Sequence, residues 1–306
     1  MPGPYVGRFA PSPTGPLHLG SLVAAVGSFL DARSRGGRWL LRMEDLDSAR
    51  VLPGCADQML RTLEVFGLTW DGAVVYQSAR TAHYARALEA LRADGLTFEC
   101  SCTRREREGE GGYPGTCRLG PKRRGPTATR FRVADVDVRF SDRAQGDCRF
   151  ALHERGDVII RRRDGAFAYQ LAVVVDDALQ GVTDVVRGAD LLDSTPWQIA
   201  LQEALQFRTP AYLHLPLVVE PSGAKLAKSR RSVPLDDRQA ARQLHHRVAT
   251  AASGPSGRAR ARVSGDSAFL GVLWMETRAS DRGASGTRRG VTRHWEGSSP
   301  QEPTRR

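Results

Sequence analysis

Residues Tyr5 to Asp47 read YVGRFAPSPTGPLHLGSLVAAVGSFLDARSRGGRWLLRMEDLD, and this stretch decides the fold. It predicts a strand over Tyr5–Ala10, a loop broken by Pro and Gly, a helix with Ser21 as its N-cap, and a second strand over Trp39–Met43. A strand, a helix and a strand within about 40 residues are typical of a βαβ unit, whose two strands are parallel. We therefore expect an α/β protein with a parallel sheet.

The rest of the chain continues the α/β pattern on either side of a less regular region. Further helices are predicted near Ala56–Phe66, Ala79–Ala93 and Asp193–Phe207. Residues Val133 to Phe150 read as short strands, and the apolar run Tyr169–Val175 is suited to a buried parallel strand. This order indicates a Rossmann-like domain that is interrupted by an insert.

The same order divides the chain into four parts. The two halves of the Rossmann-like domain cover residues 1–96 and 156–247, and an irregular insert with three cysteines lies between them at 97–155. The remaining residues, 248–306, are rich in Gly, Ser and Arg and lack sustained periodicity. We expect this tail to be poorly ordered, because it buries too little apolar surface to offset the entropy of ordering.

Charge and cysteine content restrict the class of protein. The chain has 45 Lys and Arg against 34 Asp and Glu, a net charge of +11, which indicates a polyanionic partner such as nucleic acid or simply a basic soluble protein. No run approaches the roughly 20 apolar residues that cross a bilayer, so we expect no membrane partner. Five cysteines are too few for a disulfide framework, which favours a reducing cytoplasm.

Two separate segments carry groups suited to phosphate chemistry. His18 lies in the loop that enters the first helix, and helix N-termini bind phosphate readily. The chain has only three lysines, and two of them, Lys225 and Lys228, stand beside Ser229 in a short loop. Such a loop can stabilise a pyrophosphate leaving group. Taken singly, each segment is better explained as an ordinary surface loop.

Together the two segments resemble the HIGH and KMSKS motifs of class I aminoacyl-tRNA synthetases. The matching residues are His18-Leu-Gly-Ser21 and Lys225-Leu-Ala-Lys-Ser229, although Ser21 replaces the second His and Ala227 replaces a hydroxyl residue. Three flanking stretches are similar to the glutamyl branch of that family, and the resemblance covers about residues 5 to 235. These stretches are Arg8–Ser12, Leu41–Asp47 and Asp176–Asp190.

The resemblance implies a class I synthetase fold that activates L-glutamate with ATP and Mg²⁺ and then transfers it to tRNA. His18 and Lys228 are implied as catalytic residues. The implied glutamate site consists of Arg8, Phe9, Ala10, Pro11, Ser12, Glu44, Tyr169 and Arg187. The implied ATP site consists of His18, Gly20, Lys225, Lys228 and Ser229.

The insert contains a candidate metal site. Cys100, Cys102 and Cys117 lie within 18 residues, and thiolates are preferred zinc ligands, but from spacing alone His153 or three free thiols compete with a complete site. The short members of the glutamyl branch are similar here, with one structural Zn²⁺ on three Cys and one Tyr, which adds Tyr113. The other two cysteines, Cys55 and Cys148, read as buried thiols.

The length of the chain selects within the glutamyl branch. Only 77 residues follow Ser229, whereas a full glutamyl enzyme carries a large anticodon-binding region there. The chain therefore resembles the short paralogues, which activate glutamate without tRNA and attach it to the queuosine base in the anticodon arm of tRNA(Asp). We expect a cytoplasmic monomer. The alternatives are a truncated glutamyl- or glutaminyl-tRNA synthetase that charges a tRNA 3′ end, and a degenerate RNA-binding module.

Overall fold

The computed structural model of the chain describes residues 3–103, 106 and 112–216. Its first βαβ unit is as predicted: strand β1 (Val6–Phe9), helix α1 (Leu19–Ser34) and strand β2 (Arg38–Met43). Strands β1 and β2 pair in parallel, with Val6 opposite Arg38, and strand β3 (Val75–Tyr76) pairs in parallel with the other edge of β2. The expected parallel α/β architecture is confirmed.

The start of α1 differs from the prediction. The helix begins at Leu19, and its N-cap is His18 rather than Ser21. The Nδ1 atom of His18 accepts a hydrogen bond from the backbone N–H of Ser21 at 3.2 Å, which satisfies a free donor of the first turn. The imidazole nitrogen therefore performs the capping role that the sequence assigned to a hydroxyl.

The second half of the chain builds a sheet beside the first. Strands β9 (Asp184–Gly188) and β10 (Ala211–Leu215) pair in parallel, and β6 (Asp137–Asp142) continues the sheet beyond β10. Strand β7 (Gly146–Ala151) closes it as an antiparallel hairpin with β6. Thr183 joins the two sheets, because its N–H donates to Val6 O and its hydroxyl accepts from Val6 N, each at 2.9 Å.

Helices pack around these sheets. The predicted helices are confirmed as α2 (Cys55–Val65), α3 (Thr81–Ala93) and α6 (Thr195–Ala204), and a short α4 (Leu152–Arg155) follows β7. Short 3-10 helices lie at Gln77–Arg80 and Ala189–Ser194.

The prediction for Tyr169–Val175 is wrong. These residues begin helix α5 (Tyr169–Leu179), in which every residue from Leu171 to Asp177 is buried. A helix buried on all sides shows no amphipathic period, so a short apolar run of this kind reads like a buried strand. Helix α5 packs in the larger hydrophobic core together with side chains of α3 and α6.

The insert has its own small antiparallel sheet. Strand β5 (Ala128–Phe131) pairs with β4 (Thr97–Cys100) on one side and with β8 (Val158–Arg161) on the other. The boundaries at 97 and 155 stay a prediction, and two strand pairings cross them, since β8 joins the insert sheet and the β6–β7 hairpin joins β10. The short strands expected within Val133–Phe150 are confirmed as β6 and β7.

No helix in the described ranges is long and apolar enough to span a bilayer. The predicted lysine loop and the tail 248–306 lie outside the described residues.

Candidate active site

The loop after β1 is fixed against the carboxyl end of β2. Pro11 O accepts a hydrogen bond from Glu44 N at 2.9 Å, and Pro13 O accepts one from Leu52 N at 3.0 Å. Strand β1 thus delivers Arg8 and the loop residues to the end of the sheet where parallel α/β folds bind ligands. Phe9 lies in the core, stacked on Trp39 at 6.2 Å between ring centroids, so its side chain positions the loop.

Helix capping determines the proton position on His18. Because Nδ1 accepts from Ser21 N–H, a neutral His18 carries its proton on Nε2, which is then a donor. Gly20 preserves this ring position, since a Cβ there would lie 3.2 Å from both Cε1 and Nδ1 of the imidazole. The arrangement places one N–H donor beside a helix N-terminus, as anion binding requires.

Arg8 is buried and held by Asp177 of α5. The Nε and Nη2 atoms of Arg8 lie 3.1 and 3.2 Å from the two carboxylate oxygens of Asp177. Arg42, which is fully buried in β2, donates to the same carboxylate at 2.8 Å and to Gln180 at 2.7 Å. Burial opposes ionisation of Asp177, but the two guanidiniums outweigh it and lower its pKa.

The neighbouring Asp176 is also buried and ties α5 to α3 and the turn before it. It accepts from Gln77 Nε2 at 2.9 Å, from Tyr84 OH at 2.7 Å and from Arg80 Nε at 2.6 Å. A carboxylate with three donors is well satisfied in a low dielectric. Asp176 therefore fixes the helix whose first residue is Tyr169.

Glu44 stands at the end of β2. Its Oε1 atom lies 3.5 Å from Arg42 Nη2, a distance that leaves the carboxylate available to another cation. Burial raises the pKa of Glu44, and the charges of Arg42 and Arg8 oppose that rise. A buried carboxylate of this kind suits a ligand ammonium, which restores the compensating charge.

Arg187, at the end of β9, is held by uncharged groups. Its Nε donates to His214 Nε2 at 3.0 Å, and its Nη2 donates to Thr195 Oγ1 at 2.9 Å and to Leu191 O at 3.4 Å. Its Nη1 donates to Tyr169 OH at 3.4 Å. Burial raises the pKa of Tyr169, and Arg187, Glu44 and Arg8 all act on it through their charges. The structure thus brings these four predicted residues into one group.

Several residues of this site are not predicted from the sequence. Arg42 could have been noticed as a charge inside the apolar strand Trp39–Met43, and Asp176 and Asp177 as two carboxylates at the end of an apolar run. The contact of His214 with Arg187 joins neighbouring strands and leaves no local signal. The three predicted residues of the lysine loop, Lys225, Lys228 and Ser229, lie outside the described residues.

The insert places its three predicted thiols together. The Sγ atoms of Cys100, Cys102 and Cys117 all lie within 4.8 Å of one another, and all three residues are buried. The hydroxyl of Tyr113 lies 3.4 Å from Cys100 Sγ and 3.8 Å from Cys102 Sγ, and it accepts from Cys117 N at 2.8 Å. Burial opposes ionisation of Cys117, but backbone N–H groups of Lys122 and Ser101 lower its pKa to about 6.

The alternative ligand His153 and the two other cysteines lie outside this cluster. His153 Nδ1 is 2.9 Å from Asp135 Oδ1, so this histidine is engaged by another group. Cys55 is buried as predicted, whereas Cys148 is only half-buried, because it lies on the β7 hairpin at the edge of the sheet. Three thiols and one phenol in a buried cluster are a donor set that fits a tetrahedral metal site.

Comparison with known proteins gives concordant matches. The family model for the catalytic domain of class I tRNA synthetases (E and Q) matches residues 5–112 and 116–253. A glutamyl-Q tRNA(Asp) synthetase of Ectopseudomonas mendocina is 58% identical over 238 residues, covering 77% of this chain and 81% of that protein. One from Pseudomonas paraeruginosa is 51% identical over 285 residues, covering 92% of this chain and 97% of that protein.

A solved structure is similar in fold. The glutamate tRNA ligase of Elizabethkingia meningosepticum, in complex with its amino acid, superposes with a TM-score of 0.67 at 28% identity. The match covers 75% of this chain and 53% of the ligase, so the chain spans about half the length of that enzyme.

Proposed function

The chain belongs to the class I tRNA synthetases for glutamate and glutamine, and within them to the glutamyl-Q tRNA(Asp) synthetases. From this membership we propose that it activates L-glutamate with ATP in the absence of tRNA and transfers the glutamate to the queuosine base in the anticodon loop of tRNA(Asp). The observation that carries the proposal is the group formed by Arg8, Glu44, Tyr169 and Arg187 at one end of the parallel sheet.

The charges of this group match those of the amino acid. Glutamate presents two carboxylates and one ammonium, so its site needs two cations and one anion. Arg8 and Arg187 are suited to the carboxylates, with the Tyr169 hydroxyl as a further partner, and Glu44 is suited to the ammonium. The backbone of Ala10, Pro11 and Ser12 closes the site along the loop.

In the activation step, an α-carboxylate oxygen of glutamate attacks the α-phosphorus of ATP. The new bond is the mixed anhydride of glutamyl-adenylate, and the bond to pyrophosphate breaks. The Nε2–H of His18 donates to a phosphoryl oxygen as charge grows, beside Gly20 and the start of α1. We assign Lys225, Lys228 and Ser229 to the departing pyrophosphate. Mg²⁺ accompanies the triphosphate and neutralises part of its charge.

In the transfer step, a hydroxyl of the queuosine cyclopentene ring attacks the acyl carbon of the adenylate. The carbon–oxygen bond to AMP breaks, and the product is an ester in the anticodon loop. The net charge of +11 suits this polyanionic substrate, and we expect transfer to weaken steeply with salt because phosphate contacts release counterions.

We propose that the cluster of Cys100, Cys102, Tyr113 and Cys117 holds one structural Zn²⁺. The ion would order a segment that has little apolar core of its own. We further propose a monomer that acts in the cytoplasm. The five cysteines, all of them free, suit a reducing compartment.

Charging of purified tRNAs with labelled glutamate tests the function. ATP–pyrophosphate exchange should proceed with glutamate alone, and tRNA(Asp) that lacks its 3′-terminal adenosine should still be charged if it contains queuosine. The same tRNA(Asp) without queuosine should accept nothing. Efficient charging of tRNA(Glu) at its 3′ end would instead establish a truncated glutamyl-tRNA synthetase.

A further inference from the structure

The buried residue His214 links Arg187 to the β6–β7 hairpin. It is fully buried in β10, with the ring of Tyr212 stacked at 5.8 Å on its side of the strand. Its Nδ1 atom lies 2.6 Å from Asp142 Oδ2, and its Nε2 atom faces Nε of Arg187 at 3.0 Å. An arginine Nε can only donate, so His214 Nε2 must be the acceptor and Nδ1 must carry the proton.

The carboxylate of Asp142 is held in position for this contact by hydrogen bonds from the turn that follows it. Its Oδ1 accepts from Ala144 N and Gln145 N, each at 2.9 Å, and its carboxylate also accepts from the backbone N–H of His214. Burial opposes its ionisation, but these hydrogen bonds and the one from the imidazole lower the pKa of Asp142 to about 2. An ionised acceptor therefore fixes the Nδ1–H tautomer of His214 throughout the neutral range.

Arg187 and Arg8 differ in how far their partners neutralise their positive charge. Arg8 is held by a carboxylate, which neutralises it in part, whereas the groups that hold Arg187 are a neutral imidazole, two hydroxyls and a carbonyl. Neutral acceptors fix the plane of a guanidinium and leave its full charge to a ligand. We propose that His214 is a positioning residue for glutamate, which orients Arg187 as the neutral Nδ1–H tautomer held by Asp142. This inference rests on the proposed function, in which Arg187 binds a carboxylate.

Protonation of His214 would reverse this arrangement. A proton on Nε2 turns the acceptor into a donor that faces a second donor, Arg187 Nε. The charged and polar groups around the ring are Asp142 of β6, Arg187 of β9, Arg8 of β1 and Thr195 of α6. Burial and the two arginines lower the pKa of His214, against the effect of Asp142. Glutamate affinity should thus be complete at neutral pH and fall only at pH values below the ordinary titration range of histidine, because the pKa of His214 is lowered.

Two amide substitutions separate the two contacts of the ring. His214→Gln places an amide oxygen near the Nε2 position, where it can accept from Arg187. His214→Asn places an amide N–H near the Nδ1 position, where it can donate to Asp142, but it cannot reach Arg187. Both variants lose the ring, so they serve as matched controls for stability.

Glutamate-dependent ATP–pyrophosphate exchange is the main measurement. His214→Asn should raise KM for glutamate about tenfold, as expected for the loss of one hydrogen bond to a charged group, and leave KM for ATP unchanged. His214→Gln should stay within about threefold of the wild type, since it keeps that bond. The rise in KM for glutamate at acid pH should also be smaller in His214→Gln than in the wild type. The part of that rise that comes from protonation of Glu44 should remain in both proteins. Equal KM values for the two variants, or identical pH profiles for His214→Gln and the wild type, would overturn the inference.

A second readout does not depend on turnover. In the NMR spectrum of protein labelled with ¹⁵N-histidine, the resonances that disappear in His214→Gln belong to His214. At pH 7 their shifts should report a neutral ring that carries its proton on Nδ1. A neutral Nε2–H ring or an imidazolium there would refute the positioning role. Wild-type protein that performs no glutamate-dependent exchange would instead refute the proposed function. The NMR measurement would then still show whether His214 accepts from Arg187 through Nε2.

Discussion

Asp177 and Arg8 form two hydrogen bonds, of 3.1 and 3.2 Å, across 169 positions of sequence. The pair joins the first strand of the chain to the central helix α5, and Arg42 completes it from β2. Two buried guanidiniums thus share this carboxylate, although Arg42 also lies 3.5 Å from Glu44 and 3.8 Å from Asp176. The contact serves both the stability of the core and the orientation of a proposed substrate-binding residue.

Replacing Asp177 by Asn should lower the free energy of unfolding by about 3–5 kcal/mol, because it removes the ion-pair partner of Arg8 and the carboxylate nearest to Arg42. Urea denaturation measures the change. The control is Asp135→Asn, whose side chain is 87% exposed beside His153 and whose loss should change stability by less than about 1 kcal/mol. A shift for Asp177→Asn as small as that of the control would show that the charges are compensated by other groups.

Two substitutions at His18 should separate helix capping from catalysis. His18→Asn keeps a good N-cap residue and should retain the stability of the wild type, whereas His18→Ala should lose about 1 kcal/mol. Both remove the Nε2–H donor, so both should slow adenylate formation by about 10²-fold or more. Thermal unfolding and pyrophosphate exchange on the same preparations give the two quantities. Full exchange activity in His18→Asn would remove this imidazole from the chemistry.

Lys228→Ala should slow adenylate formation by about 10²–10³-fold with little change in glutamate affinity, because the charge on pyrophosphate grows towards the transition state. Lys122→Ala is a suitable control, since Lys122 is an exposed lysine of the insert. Pre-steady-state measurement of adenylate formation distinguishes the two. Equal rates for the variant at Lys228 and the control would contradict the assignment.

Cys102→Ser should reduce bound zinc well below one ion per chain and impair transfer to tRNA before it impairs activation. The physical reason is that the insert loses a ligand, while the glutamate site on the parallel sheet keeps its own contacts. Elemental analysis, exchange and tRNA charging are compared with Cys148→Ser, which alters a half-buried thiol outside the cluster. Wild-type protein prepared without chelators that contains no zinc would refute the metal site.

Features of the fold and of the site can be predicted from the sequence where their signal is local, but not where they depend on contacts between distant residues. The βαβ unit is readable because strand and helix periods are local, and Cys100, Cys102 and Cys117 are readable because they are close in sequence. The sequence of helix α5 predicts a strand instead, since a fully buried segment has no polar face to reveal its period. The group around Arg187 depends on contacts between distant strands, and only the folded chain brings His214 and Asp142 together.

The position of the β6–β7 hairpin has a consequence for engineering. Strand β6 covers one side of β10, and its last residue, Asp142, lies opposite Tyr212. Excision of residues 97–155 would leave β10 as an open edge strand with unpaired backbone groups, a template for association with other chains. A minimal version of this protein should therefore retain the β6–β7 hairpin, since its loss would favour aggregation through β10.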